Sequence, residues 1–320
     1  MRPITWVLGA VLAASALLIP MVYTAPAPVE DFSSAPAGAE AFVVTENGAA
    51  STTKVFDGAG EWIATFTPGA RTVTLAGTKR TFAEDTAGAA VVTSTYVRLL
   101  PEAFSGGVDG AWLRSAMADT SPDLLAIAAQ YVRHAPALSD AAGLQTAGDA
   151  SYGPASEDGK LRKGADFNDY LGIPWDYPGK ADPPEPDELG ALDCSGFVRM
   201  VFGYRGGMPM TREPADGLLP RRSFEMLDAA PGSVIYRSTE QLEELAGIQP
   251  GDLVFFDAEP DGAGQIDHVG VFLGVDTQGN HRFISSRKTA DGPTMGDEGG
   301  RSILDGTGHY AEAWRGVRRL

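Results

Sequence analysis

Residues 191–200 read ALDCSGFVRM and contain the only cysteine in a chain of 320 residues. Behind it, apolar side chains recur at helical spacing: Phe197, Val198, Val201 and Phe202. The glycines of GYRGG (203–207) supply a stop. Asp193 is suited to cap this helix, which places Cys194 in the first turn. Free backbone N–H groups and the helix dipole stabilise a thiolate and a developing oxyanion there. The stretch therefore predicts a helix that begins at an activated cysteine.

A base for this cysteine is expected downstream. IQPGDLVFFD (248–257) predicts a turn and a strand, and GQIDHVGVFLGV (264–275) predicts a second strand that begins at or just after His268. NHRFISSR (280–287) predicts a third. A histidine at the start of a buried strand, facing a helix N-terminus, is typical of cysteine–histidine hydrolases. The other histidines are interpreted as structural or surface residues: His134, His281 and His309.

The composition limits the classes of function. Hydrophobic residues make up 43% and charged residues 21% of the chain, as in ordinary globular proteins, and the length suggests about two domains. A formal net charge of −17 argues against nucleic-acid binding, which needs a basic face. The histidines are scattered and there is no second cysteine, so no metal site is predicted. The glycine-rich pieces lack the context of a phosphate loop, and no cofactor is predicted.

The N-terminal segment predicts export. An apolar run begins after Arg2 and ends near Tyr23, a length between a signal-peptide core and a membrane-spanning helix. Residues 1–27 are therefore interpreted as a signal peptide or a membrane anchor, and residues 28–40 as an Ala/Pro linker. The protein is expected to be secreted or associated with the cell envelope. A single cysteine in an exported chain cannot form a disulfide within that chain.

Two domains are predicted after the leader. Residues 41–140 alternate like several antiparallel strands and then contain two helical segments, which indicates a small β-rich α+β domain whose role the sequence leaves open. The second helical segment is expected to start with Ser121 as N-cap, Pro122 at the first position and Asp123 in the first turn. Residues 141–164 are interpreted as a linker, and 165–320 as the domain with the chemistry.

Three segments of that domain, in order, carry a family resemblance: LDCSGFVRMVF, GIQPGDLVFFD and IDHVGVFLG. Together they resemble the NlpC-type cell-wall hydrolases, the family of the sixty-kilodalton invasion-associated protein. The resemblance implies a papain-like α+β fold in which a cysteine helix packs on an antiparallel sheet. It also implies peptidase activity on the peptide stems of peptidoglycan, commonly between D-γ-glutamyl and a diamino acid. By position, Cys194 matches the nucleophile of the family and His268 its base.

The chain departs from the family at the residue that orients the base. The family usually has a third polar residue, often histidine, one strand after the base, and Ser285 stands at that position. A serine orients an imidazole less firmly than a carboxylate, amide or imidazole does. His281 would share the same strand face and is the second candidate.

A second departure concerns the oxyanion and substrate site. The family shows a tyrosine upstream of the cysteine in a P-Y-x-W-G-G context, and this chain has Trp175 in its place, so that Tyr177 or Tyr170 would have to supply the hydroxyl. The oxyanion or substrate-site candidates are Asp193, Ser195, Trp175 and Tyr177.

Residues 208–247, between the cysteine and the histidine, form a long interval for the family. They are interpreted either as an insertion that shapes substrate choice or as a surface excursion without a role.

An exported cell-wall hydrolase that acts on stem peptides is the function predicted first. The alternatives are a degenerate wall-binding or regulatory module, and the same cysteine–histidine chemistry used for transacylation or on a lipid amide. The sequence predicts no oligomeric state.

Overall fold

A computed structural model of the chain describes residues 42–46, 51–177, 180–259 and 264–320. The predicted leader and linker, residues 1–40, lie outside them. The first antiparallel sheet has five strands in chain order: β1 (Phe42–Glu46), β2 (Thr52–Phe56), β3 (Trp62–Phe66), β4 (Thr72–Phe82) and β5 (Val91–Leu99). Two short hairpins follow: β6 (Leu138–Ser139) with β7 (Gln145–Ala147), and β8 (Trp175–Tyr177) with β9 (Lys180–Asp182).

The second antiparallel sheet contains the three strands predicted around the base. Its strands are β10 (Ser233–Arg237), β11 (Leu253–Phe256), β12 (His268–Val275), β13 (His281–Arg287), β14 (Gly292–Thr294) and β15 (Trp314–Arg319). They are ordered β10-β15-β11-β12-β13-β14. In β11, Leu253 and Phe255 enter one core while Val254 and Phe256 enter the core on the other face. This sheet is therefore buried on both faces, which explains its continuous apolar runs.

Six α-helices accompany the sheets in the described residues: α1 (Gly110–Ala118), α2 (Leu124–Ala128), α3 (Phe167–Leu171), α4 (Cys194–Val198), α5 (Ser223–Ala229) and α6 (His309–Ala313). Short 3₁₀ turns occupy Ala129–Tyr131 and Pro186–Glu188, and a π-helix, Arg199–Arg205, continues α4. None of the helices in this part of the chain is long and apolar enough to span a bilayer. The described chain is thus a mixed α/β structure with antiparallel sheets, as predicted.

The start of α2 differs from the prediction. Asp123, not Ser121, is the N-cap, and its carboxylate accepts a hydrogen bond from the N–H of Ala126 at 3.1 Å. The same carboxylate pairs with Arg80 of β4 and accepts the N–H of Val97 in β5 at 2.7 Å. These partners lie in distant parts of the chain, so the local preferences of capping residues could not predict that Asp123 begins the helix.

The cysteine helix packs on the second sheet as the resemblance implied. Helix α4 contacts strands β12 and β13, and its buried residues Phe197 and Val198 join the core formed by Val269 and Val271. Asp193 caps α4 as predicted, because its side chain accepts the N–H of Gly196. The packing fixes the first turn of α4 against the start of β12, and so brings Cys194 to the strand that carries His268.

The regions on either side of residues 141–164 share this core. Leu124 and Tyr131 belong to the same buried cluster as Phe197 and Phe202. Ala147 and Ala150, within the segment predicted to be a linker, are also buried in that cluster. The domain boundaries remain a prediction, but the apolar packing is continuous across them.

Residues 208–247 are an integral part of the fold rather than an excursion from it. They contribute helix α5 and edge strand β10, which pairs with β15. They also contribute Arg221, whose side chain reaches Asp193 beside the cysteine.

Candidate active site

Cys194 is the first residue of α4 and lies almost out of reach of solvent. The residue is 6% exposed, and its thiol donates toward the carbonyl oxygen of Asp267, 3.9 Å from Sγ. The backbone N–H of Val269 also interacts with the sulfur. The thiol therefore lies against the backbone on both sides of His268.

The surroundings of the sulfur oppose the thiolate that the sequence predicts. Burial and the adjacent Asp193 carboxylate raise the pKa of Cys194 to about 12, although the N–H of Val269 and the cations Arg221 and Lys163 act in the opposite direction. Loss of hydration at a buried site disfavours a charged form more strongly than one turn of helix favours it. The resting residue is a neutral thiol.

His268, the first residue of β12, faces Ser285 on the neighbouring strand β13. The ring Nε2 lies 3.0 Å from Ser285 Oγ, and the ring centroid lies 5.8 Å from that of Phe256 and 5.4 Å from that of Tyr310. Within the described residues, no hydrogen bond joins the ring to the Cys194 thiol. His281 is engaged elsewhere, with its Nδ1 2.9 Å from Asp305. Of the two residues predicted to orient the base, Ser285 is the one that contacts it.

The imidazole is neutral as well. Burial, the Arg287 guanidinium, and then His309 and Lys163 lower the pKa of His268 to about 3, while Asp193 raises it only in part. Because the pKa of the thiol is raised and that of the imidazole is lowered, the proton stays on the sulfur, and a neutral thiol with a neutral imidazole is favoured over an ion pair.

Asp193 and Ser195 are held by Arg221. The guanidinium lies 2.8 Å from Asp193 Oδ2 and 2.5 Å from Ser195 Oγ, and Ser195 in turn donates to Asp193 at 3.1 Å. Although burial opposes it, the Arg221 charge holds the pKa of Asp193 below its usual value. Arg221 also reaches Asp166, which pairs with the buried Arg199. This network fixes the cap of α4.

A cavity of about 150 Å³ opens beside His268. Its walls include Tyr152, Lys163, Glu259, His268, Lys288 and Tyr310. Glu259 accepts from Lys163 and from Lys288, each at 2.8 Å, so that it joins the segment before α3 to the turn after β13. Against the effect of partial burial, these two lysines lower the pKa of Glu259 to about 2. The cavity can admit a small polar group to the edge of the imidazole.

Comparison with known proteins identifies the part of the chain that contains Cys194 and His268. Residues 172–297 match the sequence model of the NlpC/P60 family. They form an NlpC/P60 domain. The domain contains both Cys194 and His268, together with Ser285, while Tyr152 and Lys163 of the cavity precede it.

Two solved structures resemble the chain in part. One is an NlpC/P60 family protein from Bacillus cereus, with 23% identity over 40% of this chain and 32% of that chain, and a TM-score of 0.27. The other, from Staphylococcus aureus, is described as similar to a lipoprotein of the NLP/P60 family. It shows 23% identity over 48% of this chain and 38% of that chain, with a TM-score of 0.26. The chain thus spans less than half the length of either protein. None of the curated proteins matches the chain.

The aromatic residues considered for the substrate site, Trp175 and Tyr177 in the NlpC/P60 domain and Tyr170 just before it, lie in packing positions. Trp175 is half-buried against Phe167 and Tyr204, with ring centroids 5.0 and 6.1 Å away. The Tyr177 hydroxyl accepts from Arg199, and the Tyr170 hydroxyl donates to the carbonyl of Gly148 at 3.1 Å. None of these three aromatic side chains lines the cavity beside His268.

Two tyrosines do line the cavity: Tyr310, which packs on the His268 ring, and Tyr152, which the sequence analysis missed. Burial raises the pKa of Tyr152, and the nearby Asp193 carboxylate adds to the increase. Its N–H donates to Asp291 at 3.1 Å, which anchors this part of the predicted linker to the turn before β14. Position relative to Cys194 gives no signal for such a residue, because it lies 42 positions earlier in the chain.

One cluster of carboxylates in the described residues could hold a cation. Single oxygens of Asp169, Glu185 and Glu188 lie within 4.8 Å of one another. Burial, followed by contact with Glu185, raises the pKa of Asp169 to about 7, and burial with the Asp169 charge raises that of Glu188 to about 7. Protons shared among the carboxylates can therefore balance their charge near neutral pH. The residues of the candidate active site do not include them.

Proposed function

We propose that the NlpC/P60 domain is a cysteine peptidase that cleaves amide bonds in the peptide stems of peptidoglycan, in a protein exported to the cell envelope or the medium. One observation carries the proposal. The first turn of α4 holds Cys194 against the backbone at the start of β12, where His268 is bonded to Ser285. This is a nucleophile, a base and an orienting group on three packed elements.

The chemistry needs these side chains and no cofactor. The Cys194 sulfur attacks the amide carbonyl as His268 removes the thiol proton, and the imidazolium then gives that proton to the departing amine. Water hydrolyses the resulting thioester and releases the second product. Because Cys194 begins α4, its backbone N–H has no acceptor within the helix and is free to stabilise the oxyanion. Ser285 holds the imidazole in place during both transfers.

Digestion of purified sacculi tests the proposal. The wild-type protein should release muropeptides, and mass spectrometry of the products identifies the bond that is cut. Cys194→Ala and His268→Ala should abolish release, because neither an attack nor a proton transfer remains. Thermal unfolding of each variant serves as the control for its fold. Release by Cys194→Ala at the wild-type rate would show that another group performs the attack.

A wall-binding module without turnover is the second candidate, and the covered, neutral thiol favours it. A buried thiol whose pKa is raised above its usual value reacts slowly, because the thiolate is the nucleophile. The same sacculi distinguish the two functions. Sedimentation of the protein with sacculi that release no muropeptide supports a binding module, whereas release that depends on Cys194 supports the peptidase.

A further inference from the structure

Arg287 is a buried cation one hydrogen bond away from the residue that orients His268. It is 2% exposed, and its Nε–H donates to Ser285 Oγ at 3.1 Å. Its other donors reach the carbonyl oxygens of Glu298 and Gly300, at 3.4 and 2.6 Å, and the hydroxyl of Ser302. No carboxylate pairs with it among the described residues. These neutral acceptors fix the guanidinium without neutralising it.

The hydrogen bonds of Ser285 then follow from counting. A hydroxyl has one hydrogen to donate and two lone pairs. Arg287 can only donate, so it occupies one lone pair of Ser285 Oγ. His268 Nε2 is the other partner that Ser285 Oγ has in the described chain. Ser285 is fully buried, so the hydroxyl hydrogen is satisfied only if it points to His268 Nε2.

We infer that Arg287 is a positioning residue that acts through Ser285: it makes Ser285 a hydrogen-bond donor to His268 Nε2 and thereby holds the resting imidazole neutral, with its hydrogen on Nδ1. In this tautomer Nδ1 has no free lone pair and Nε2 is occupied by the Ser285 hydrogen, so neither ring nitrogen is free to accept the thiol proton. Cys194 stays protonated until the hydrogen-bond arrangement at Ser285 reverses.

The groups around His268 favour the same state. Arg287 on β13 and Lys163 before α3 are the cations that face it, the neighbouring His309 on α6 also lowers the pKa of His268, and Asp193 before α4 is the opposing charge. Tyr310 packs on the ring, and Glu259, Asp267 and Lys288 line the adjoining cavity. An imidazolium would have Nε2–H pointing at a serine that already accepts from a guanidinium, and the serine hydrogen would lose its acceptor.

NMR of the ring nitrogens and their protons in ¹⁵N-labelled wild-type protein identifies the tautomer of His268 directly. The inference rests on the proposed function only for the use of Cys194 and His268, and this measurement needs no substrate. Near pH 7 the His268 ring should show a proton on Nδ1 and none on Nε2. A proton on Nε2, or on both nitrogens, would overturn the inference whether or not sacculi are cleaved. Absence of cleavage with the Nδ1–H tautomer would refute the proposed peptidase alone.

Alkylation of Cys194 by iodoacetamide tests the path through Ser285. In Arg287→Met and in Ser285→Ala the Nε2–H tautomer becomes accessible, and alkylation near pH 7 should be at least about tenfold faster, the factor that corresponds to one pKa unit. The double variant should be no faster than the faster single variant, because both changes remove one relay. Arg301→Met, at an exposed arginine of the loop that holds Arg287, is the control and should react like wild type.

Multiplied rates in the double variant would show that Arg287 acts on His268 directly and would refute the relay. If Arg287→Met does not fold, the wild-type tautomer and Ser285→Ala alone still decide. In Ser285→Ala the NMR signal should move to the Nε2–H form, and retention of Nδ1–H there would contradict the assigned role of the serine.

Discussion

The arginines on the two sides of the candidate site have hydrogen-bond partners of different charge. On the helix side, Arg221 and Arg199 face the carboxylates of Asp193 and Asp166. On the strand side, Arg287 is bonded to carbonyl and hydroxyl groups. Paired charges of the first kind fix backbone geometry, here the cap of α4. Arg287 has no carboxylate partner among the residues that the structure describes, so its charge acts on His268 through Ser285. The same residue type therefore stabilises the fold on one side of the site and bears on the protonation of His268 on the other.

The largest effect is expected when Arg221 is removed. Arg221→Met leaves Asp193 buried and without its cation, and loss of one partner of a buried pair costs about 3–5 kcal/mol of unfolding free energy. Urea denaturation measures the change. Arg162→Met, at an exposed pair with Asp187, is the matched control and should cost less than about 1 kcal/mol. Similar losses in the two variants would show that the Arg221 network does not stabilise the fold.

Acid should remove part of the same stabilisation. The pKa of Asp193 is lower in the folded chain than its usual value of 3.8. A depressed carboxyl pKa stabilises the fold above the unfolded value, and that contribution is lost as the pH falls through the folded value. Unfolding free energy should therefore decline below about pH 4. The decline should be shallower in Arg221→Met and unchanged in Arg287→Met. Equal slopes in all three proteins would contradict the assignment to Asp193.

A smaller loss of stability is expected when Arg287 is removed. Arg287→Met leaves no buried carboxylate behind and relieves the desolvation of a cation, which offsets part of the lost hydrogen bonding. We expect a loss of about 1–2 kcal/mol in urea, below that of Arg221→Met. A loss as large as that of Arg221→Met would mean that the two arginines stabilise the fold in the same way.

The smallest effect is expected at the cavity mouth. Glu259 is 43% exposed and its two lysine partners are 45% and 39% exposed, so solvent screens both ion pairs. Glu259→Gln should change the unfolding free energy by less than about 1 kcal/mol. In about 1 M salt, where the screening length is about 3 Å, the difference from wild type should disappear. A difference that persists in high salt would indicate a buried structural role for this carboxylate.

Local sequence patterns predicted the elements that carry the chemistry. The apolar runs at 253–256 and 268–275 end at turn residues, and the strands have those bounds. The cap of α4 was also predictable, because Asp193 satisfies an N–H only three residues away. The family resemblance pointed to Ser285 as a partner of His268, and the pairing of β12 with β13 brings the two residues together on one face of the sheet.

The residues that the sequence patterns could not predict approach the site through long-range contacts. Tyr152, Arg221 and Glu259 reach the site from segments that look like a linker, an insertion and a loop. Neither hydrophobic period nor spacing from Cys194 marks these residues. The protonation state also escaped prediction, because burial of the thiol and the charge of Arg287 depend on packing rather than on position in a helix. The observed start of α2 differs from the predicted one for the same reason, because Asp123 pairs with Arg80 of a distant strand.

Because α2 and α4 share one core, the two regions of the protein should unfold together. Tyr131 packs edge-on against Phe197, with ring centroids 6.3 Å apart, and Leu124 and Leu125 are buried in the same cluster. Loosening of the N-terminal region would uncover apolar surface directly behind the cysteine helix. The two regions should therefore melt in one cooperative step, and a fragment that begins at residue 165 should aggregate rather than fold.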